Sequence, residues 1–234
     1  MQDGDAGGAR PKFSYVRGDE VLLKSASLAR ILEYAVWDVH ACVPGKTRDF
    51  LLLHAGGVSR EGEAALIAGP AEVGKSSLVA AMLSPGFDYL SDELGAIDPV
   101  TERAYAFPKR ISLSPAALDS LPGLRERLDG RDTIAEGANT RTVRPEDLAA
   151  SVAGPSTIRW LVFPSFDRAG PPRLTPLPRA EAVRRLAELS FNLYRYEERG
   201  VVLLSRIVDG AEAFALDGGG IRERAELVAE RIGS

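Results

Sequence analysis

Apolar and polar positions alternate along this chain in a way that divides it into short elements. Leu22, Leu28, Ile31, Leu32, Ala35, Val36 and Val39 recur at helical spacing and predict an amphipathic helix over Leu22–Val39, broken near Ser25. Two apolar runs follow, Phe50–Ala55 and Ala64–Ala68. The polar, glycine-rich stretch between them reads as the turn of an antiparallel hairpin. Ser77–Leu83 predicts a helix that stops at Pro85-Gly86, and Phe87–Ser91 a strand ending in Asp92-Glu93. Leu94–Ile97 and Arg103–Phe107 form a second hairpin around Asp98-Pro99.

The second half is patterned less evenly. Leu121–Thr142 is rich in Gly, Asp and Arg and predicts a mobile loop with helical fragments, suited to a lid. Ile158–Phe163 is a strong strand, Pro164–Pro178 a proline-rich connection and Ala180–Arg195 a helix. Val201–Val208 and Glu212–Leu216 predict a last hairpin about Asp209-Gly210, and Ile221–Ile232 a closing helix. Residues 1–11 are polar and predict a disordered tail, leaving 12–234 as a single α/β domain with a mixed sheet flanked by helices.

Between the strand Ala64–Ala68 and the helix at Ser77 lies Gly69-Pro70-Ala71-Glu72-Val73-Gly74-Lys75-Ser76-Ser77, a complete G-x-x-x-x-G-K-[ST] match. The chemistry demands these residue types. Glycines let the backbone curl so that its N–H groups converge on an anion, and the following helix aims its positive end at the same point. The lysine brings charge to the β- and γ-phosphates, and the hydroxyl of Ser76 is the expected magnesium ligand. One of only five lysines, against twenty-four arginines, falls on the one position where the motif needs it. Glu72 is the anomaly: a carboxylate inside an anion loop must point away or be paired. The loop also follows the second strand of a hairpin, whereas in sheets built from βαβ units it follows the first strand of a parallel set.

Composition narrows the rest. A chain of 234 residues with 45% hydrophobic content can bury one sizeable core. The net charge of −4 argues against a nucleic-acid or anionic-membrane surface. With Cys42 alone there is no internal disulfide, and two histidines make a zinc site a poor expectation. The start of the chain carries no signal-peptide pattern and no apolar run reaches membrane-spanning length, so the expected location is cytoplasmic.

Asp92-Glu93 lies seventeen positions after Lys75. A carboxylate there can hold the metal or take a proton from an attacking hydroxyl, and both can serve only if the strand has ended. His54 stands in the strand beside the loop strand. Lys109-Arg110 and Arg141/Arg144 are further sources of positive charge for a phosphoryl group.

His54, the loop 69–77 and Tyr89-Leu90-Ser91-Asp92-Glu93 together resemble the catalytic core of HPr kinase/phosphorylase and its relatives, which share the phosphoenolpyruvate-carboxykinase-like P-loop fold. The shorter stand-alone HPr-kinase-related proteins are the better likeness, through F-P-K-R-I-S-L at 107–113, V-R-P-E-D-L at 143–148, R-W-L-V-F-P at 159–164 and F-N at 191–192. The resemblance spans roughly residues 50–195. It implies ATP and magnesium as cofactors, with His54, Lys75, Asp92 and Glu93 at the reacting centre, Ser76 on the metal and Asp92 as the proton-accepting or metal-binding carboxylate. It also implies a peptide, protein or small-molecule hydroxyl as acceptor; related stand-alone kinases include some that phosphorylate lasso peptides. HPr kinase is hexameric, which leaves a homo-oligomer open. The chain has no counterpart of the I-R-G-x-G segment, so the resemblance does not extend to recognition of HPr.

Three readings stand: a kinase transferring the γ-phosphoryl group, a P-loop ATPase driving a partner, and a catalytically silent nucleotide-binding scaffold. The Asp-Glu pair also suits the second. Against it, no L-S-G-G-Q occurs, and Leu216-Asp217-Gly218-Gly219-Gly220 is only superficially similar.

Overall fold

The computed structural model of the protein describes residues 12–83, 86–121, 124–128, 135–136 and 140–233. The tail expected at 1–11 and much of the stretch expected as a lid lie outside these. The first elements correct one expectation. Phe13–Arg17 (β1) and Glu20–Ser25 (β2) form an antiparallel hairpin turning at Gly18, whose φ is +62°. Leu22 and Leu23 therefore belong to a strand. The helix α1 begins only at Leu28 and runs to Lys46, because the Ser27 hydroxyl accepts the Arg30 N–H and caps it there. Its inner face turns Ile31 and Asp38 to the hairpin, with Arg17 and Tyr15 bound to the Asp38 carboxylate at 2.8 and 3.1 Å. Leu28, Leu32, Val36, Trp37 and Val39 are half exposed or more.

The expected central hairpin is present and longer than its apolar runs. Leu51–Arg60 (β3) and Glu63–Ala68 (β4) pair antiparallel across a tight turn at Glu61-Gly62, with Gly56-Gly57 inside the strand. Lys75–Leu83 (α2) follows, then Asp88–Ser91 (β5), Leu94–Ile97 (β6) and Arg103–Tyr105 (β7), the last two forming the predicted second hairpin. Ile111–Leu113 (β8), Pro115–Ser120 (α3) and Leu124–Leu128 (α4) lead to Ala135–Glu136 (β9) and Thr140–Val143 (β10). β10 pairs with β8 and β9 in a small separate sheet. The described parts of the expected lid are thus tied into regular structure.

Ser156–Pro164 (β11), Arg173–Pro176 (β12), Arg179–Glu188 (α5), Glu198–Asp209 (α6), Glu212–Asp217 (β13) and Ile221–Gly233 (α7) complete the chain. Three expectations are corrected here. The proline-rich connection contains β12, which pairs with β13. The helix expected to reach Arg195 stops at Glu188. Val201–Val208, read as a strand for its β-branched residues, is helical: Gly200, Leu203, Leu204, Ile207 and Val208 are buried at three- and four-residue spacing. That period, facing α5 and the sheet, overrides β propensity.

The large sheet runs β12-β13-β11-β4-β3-β6-β7, with β5 paired to β3. It is mixed, as expected: β4, β11 and β13 are parallel neighbours, while β3 joins β4 antiparallel. β7 also pairs with the start of β11, so β11, β4, β3, β6 and β7 close into a ring. One face packs Val58, Ile67, Tyr89 and Val162 against α2, α3 and α7; the other packs against Leu186, Leu203, Leu204 and Ile207 from α5 and α6. Among the described residues no helix is long and apolar enough to cross a membrane.

Candidate functional site

Because β4 and β11 are parallel, their C-terminal ends share one edge of the sheet, the place where such sheets bind ligands. The loop 69–77 leaves β4 at that edge and runs into α2. It turns on Gly74, at φ +97°, and on Glu72, at φ +64°. Glu72 is exposed, so its carboxylate stays off the inside of the loop. At Gly69 a Cβ would come within 2.9 Å of the Val73 side chain, which sets how tightly the loop closes.

Lys75 opens α2 and is 6% exposed. Its ammonium donates to the carbonyls of Gly69 at 2.9 Å and Pro70 at 2.8 Å and meets His54 Nε2 at 3.0 Å. A lysine donating there leaves Nε2 as acceptor, so the neutral ring carries its proton on Nδ1. Both groups are shifted accordingly. Burial lowers the lysine to about 8 against the pull of Glu93 and Asp92, and burial followed by the Lys75 charge lowers the histidine.

His54 is held from all sides. Its N–H donates to Leu189 O at 2.7 Å, its carbonyl accepts the Gly69 N–H at 3.2 Å, and its ring lies 5.4 Å from that of Phe191. Phe191 is placed by its neighbour. Asn192 is fully buried and stitches the segment to β3, accepting from Leu52 N and donating to Phe50 O, both at 2.9 Å.

β5 ends at Ser91, so Asp92 and Glu93 occupy a turn and need not point to opposite faces. Ser91 Oγ accepts both the Glu93 and Leu94 N–H groups and shapes that turn. Asp92 is 2% exposed. Its Oδ1 accepts from the Tyr89 hydroxyl at 2.8 Å, and Lys109 Nζ lies 3.0 Å from Oδ1 and 3.2 Å from Oδ2. Burial first, then the Asp92 charge, pushes Tyr89 far up; Lys109 is raised by Asp92 and Glu93 even though burial opposes it. Glu93 is the outward carboxylate, half exposed and 3.5 Å from Lys109. Its charge raises both Lys75 and His54. The turn approaches α2 closely because residue 56 is glycine: a Cβ there would lie 2.7 Å from Val79 Cγ2 and 3.4 Å from Asp92 Cα.

The four residues expected at the reacting centre, His54, Lys75, Asp92 and Glu93, are thus brought together, with Lys109 joining them. Arg144 is engaged elsewhere, bound to Asp147 at 3.1 Å at the start of the 3-10 turn Pro145–Leu148, and Arg141 lies on β10 in the small sheet. Sequence reasoning missed Tyr89 as the support of Asp92. It also missed Arg168, whose Nη2 donates to Val73 O at 2.8 Å. The usable signal was position: Arg168 follows β11, and the segment after a parallel neighbour of the loop strand must pass the same edge.

The loop is open to solvent on its α5 side, where a cleft of about 300 Å³ is lined by Gly69, Pro70, Pro164, Arg185 and Glu188. Among the described residues no three His, Cys, Asp or Glu side chains are grouped to hold a metal. The donors that are present suit magnesium, which keeps waters and phosphate oxygens and needs few protein ligands. Ser76 Oγ, 3.4 Å from the Asp92 carbonyl, sits beside the acid turn. Asp92 could reach a cation only in competition with Lys109, so Glu93 is the more accessible carboxylate. No family model matches the chain, and no curated protein matches it.

Proposed function

We propose that this chain is an ATP- and magnesium-dependent kinase of the HPr-kinase-related type. It would pass the γ-phosphoryl group to a hydroxyl of a peptide, protein or small molecule. The observation that carries this reading is the convergence of a buried lysine at the mouth of the 69–77 loop with a paired, buried aspartate and an outward glutamate on the adjoining turn. Those are the parts phosphoryl transfer needs, since its catalysis is mostly positioning and charge neutralisation.

In this reading the loop amides and Lys75 bind the phosphates, and Ser76 holds magnesium with water and phosphate oxygens. The cation, when bound, would offset charge on the transferring group. Asp92, fixed by Lys109 and Tyr89, keeps a carboxylate edge against which the acceptor hydroxyl is oriented. Glu93 is placed to take its proton. His54 accepts from Lys75, which holds the ammonium at the loop mouth until phosphate replaces that contact.

The test is mass spectrometry of candidate hydroxyl acceptors after incubation with the protein, ATP and magnesium, with Lys75→Ala alongside. Acceptor-dependent gain of a phosphoryl group, lost in the variant, supports the kinase. Steady ATP turnover without acceptor would assign an ATPase instead, and a nucleotide-induced rise in melting temperature with neither transfer nor turnover would leave a silent nucleotide-binding scaffold.

A further inference from the structure

Several arginines on this surface are neutralised by a neighbouring carboxylate. Arg144, Arg159, Arg179, Arg184, Arg206 and Arg222 each form an ion pair. Arg168 does not, among the described residues. It spends Nη2 on a neutral carbonyl, that of Val73, and Nη2 lies 2.7 Å from where a Cβ on Gly74 would stand. The guanidinium therefore occupies space that only a glycine at 74 leaves open, one residue before Lys75. Although the residue is exposed overall, desolvation against the loop lowers its pKa, with no carboxylate opposing the shift.

The segment carrying Arg168 is fixed from below. Arg224 is 1% exposed and gives its guanidinium to backbone carbonyls alone: Ser165 at 3.1 Å, with Gly218 and Asp167. Gly218 N–H donates to Asp167 O at 3.1 Å, Gly219 N–H to Gly170 O at 2.8 Å, and Ser165 N–H to Leu216 O at 2.9 Å. Gly218 and Gly219 have φ of +67° and +69°, and a Cβ on Gly218 would lie 2.2 Å from Pro171 O. Leu216–Gly220, the stretch only superficially similar to L-S-G-G-Q, is thus the seat on which residues 165–171 rest. That fixed segment presents, at the lip of an anion-type loop, a guanidinium with no carboxylate partner among the described residues.

We propose that Arg168 is a phosphate-binding arginine, positioned by Arg224 and the 216–220 turn, that contacts the di- or triphosphate of the bound nucleotide. This rests on the nucleotide reading of the 69–77 loop. On binding, the guanidinium exchanges the Val73 carbonyl for phosphate oxygens, a charge-assisted contact worth more than the one it leaves. No bond is made or broken covalently.

Calorimetric titration of the full chain with ATP and with ADP, in magnesium, tests it on the wild type, Arg168→Gln and Arg168→Lys. Gln keeps a donor for Val73 O and loses the charge; Lys keeps the charge. Arg168→Gln is expected to weaken binding about 10- to 100-fold and flatten its salt dependence, with Lys recovering part of the loss. Binding by Arg168→Gln within about twofold of wild type, at an unchanged melting temperature, overturns the proposal while leaving the nucleotide site standing. Absence of binding by the wild type removes both.

Discussion

Lys75 Nζ faces His54 Nε2 at 3.0 Å, so the cation of the loop and the imidazole of the neighbouring strand are one hydrogen-bonded unit. The unit has a defined pH range. With Lys75 near 8, the free protein loses the ammonium proton above that pH, and a bound phosphate anion would restore it. Nucleotide binding at about pH 9 is therefore expected to take up a proton. Calorimetry in two buffers of different ionisation heat reads this directly, and equal apparent enthalpies would contradict it.

Affinity should fall as pH rises through that value, by at most about tenfold per pH unit. On the acid side, the lowered histidine stays neutral to a lower pH than an ordinary imidazole. Once protonated it can no longer accept from Lys75 and repels it. The expected profile is a plateau across neutral pH with shoulders on both sides, and His54→Phe should remove the acid shoulder alone.

Lys109→Met should be the costly change at the acid turn. It leaves the Asp92 carboxylate buried with Tyr89 as its one side-chain partner among the described residues, and stranding a buried charge costs about 3–5 kcal/mol. Urea unfolding of Lys109→Met and of Lys109→Met with Asp92→Asn checks this, the double variant regaining much of the loss. Because Lys109 is raised in the folded state, its contribution is complete below the ordinary lysine value and fades as pH rises through the folded one. The penalty should therefore be constant across neutral pH.

Gly56→Ala places a methyl 2.7 Å from Val79 Cγ2 and 3.3 Å from Ser91 O. Overpacking of this kind costs about 1–3 kcal/mol. Adding Val79→Ala should recover part, not all, because the Ser91 carbonyl cannot give way; full recovery in thermal melts would mean that only the side chain matters.

Asn192→Ala removes the partners of two backbone groups at the entry to β3, Leu52 N–H and Phe50 C=O. Leaving such groups unpaired costs about 1–3 kcal/mol each, so a loss of about 2–6 kcal/mol in chemical denaturation is expected. Hydrogen exchange at Leu52 should rise with it.

The sequence made the loop, its flanking strand and helix, the hairpin and the acid turn legible, because each is a local pattern: a motif, a period, a breaker. His54 could be placed near the loop since a hairpin puts consecutive strands side by side. What local pattern could not carry was pairing between distant segments. Val201–Val208 looks like a strand until its burial against α5 is known. Arg173–Pro176 becomes a strand only because β13 lies alongside. Arg168 and Arg224 matter through backbone carbonyls, and Tyr89 through a turn that brings Asp92 back onto its hydroxyl; neither leaves a residue signature.

The closed ring of strands has a consequence during synthesis. β4 gains β3 at once, across two residues, but its other neighbour is β11; Arg159 meets Glu63 from 96 positions away. At the usual speed of a ribosome that interval is roughly 5–20 s, during which one apolar edge of β4 stands without a partner. A nascent chain thus carries the whole glycine loop long before it has the wall that shapes it, and chaperone demand should peak in that window.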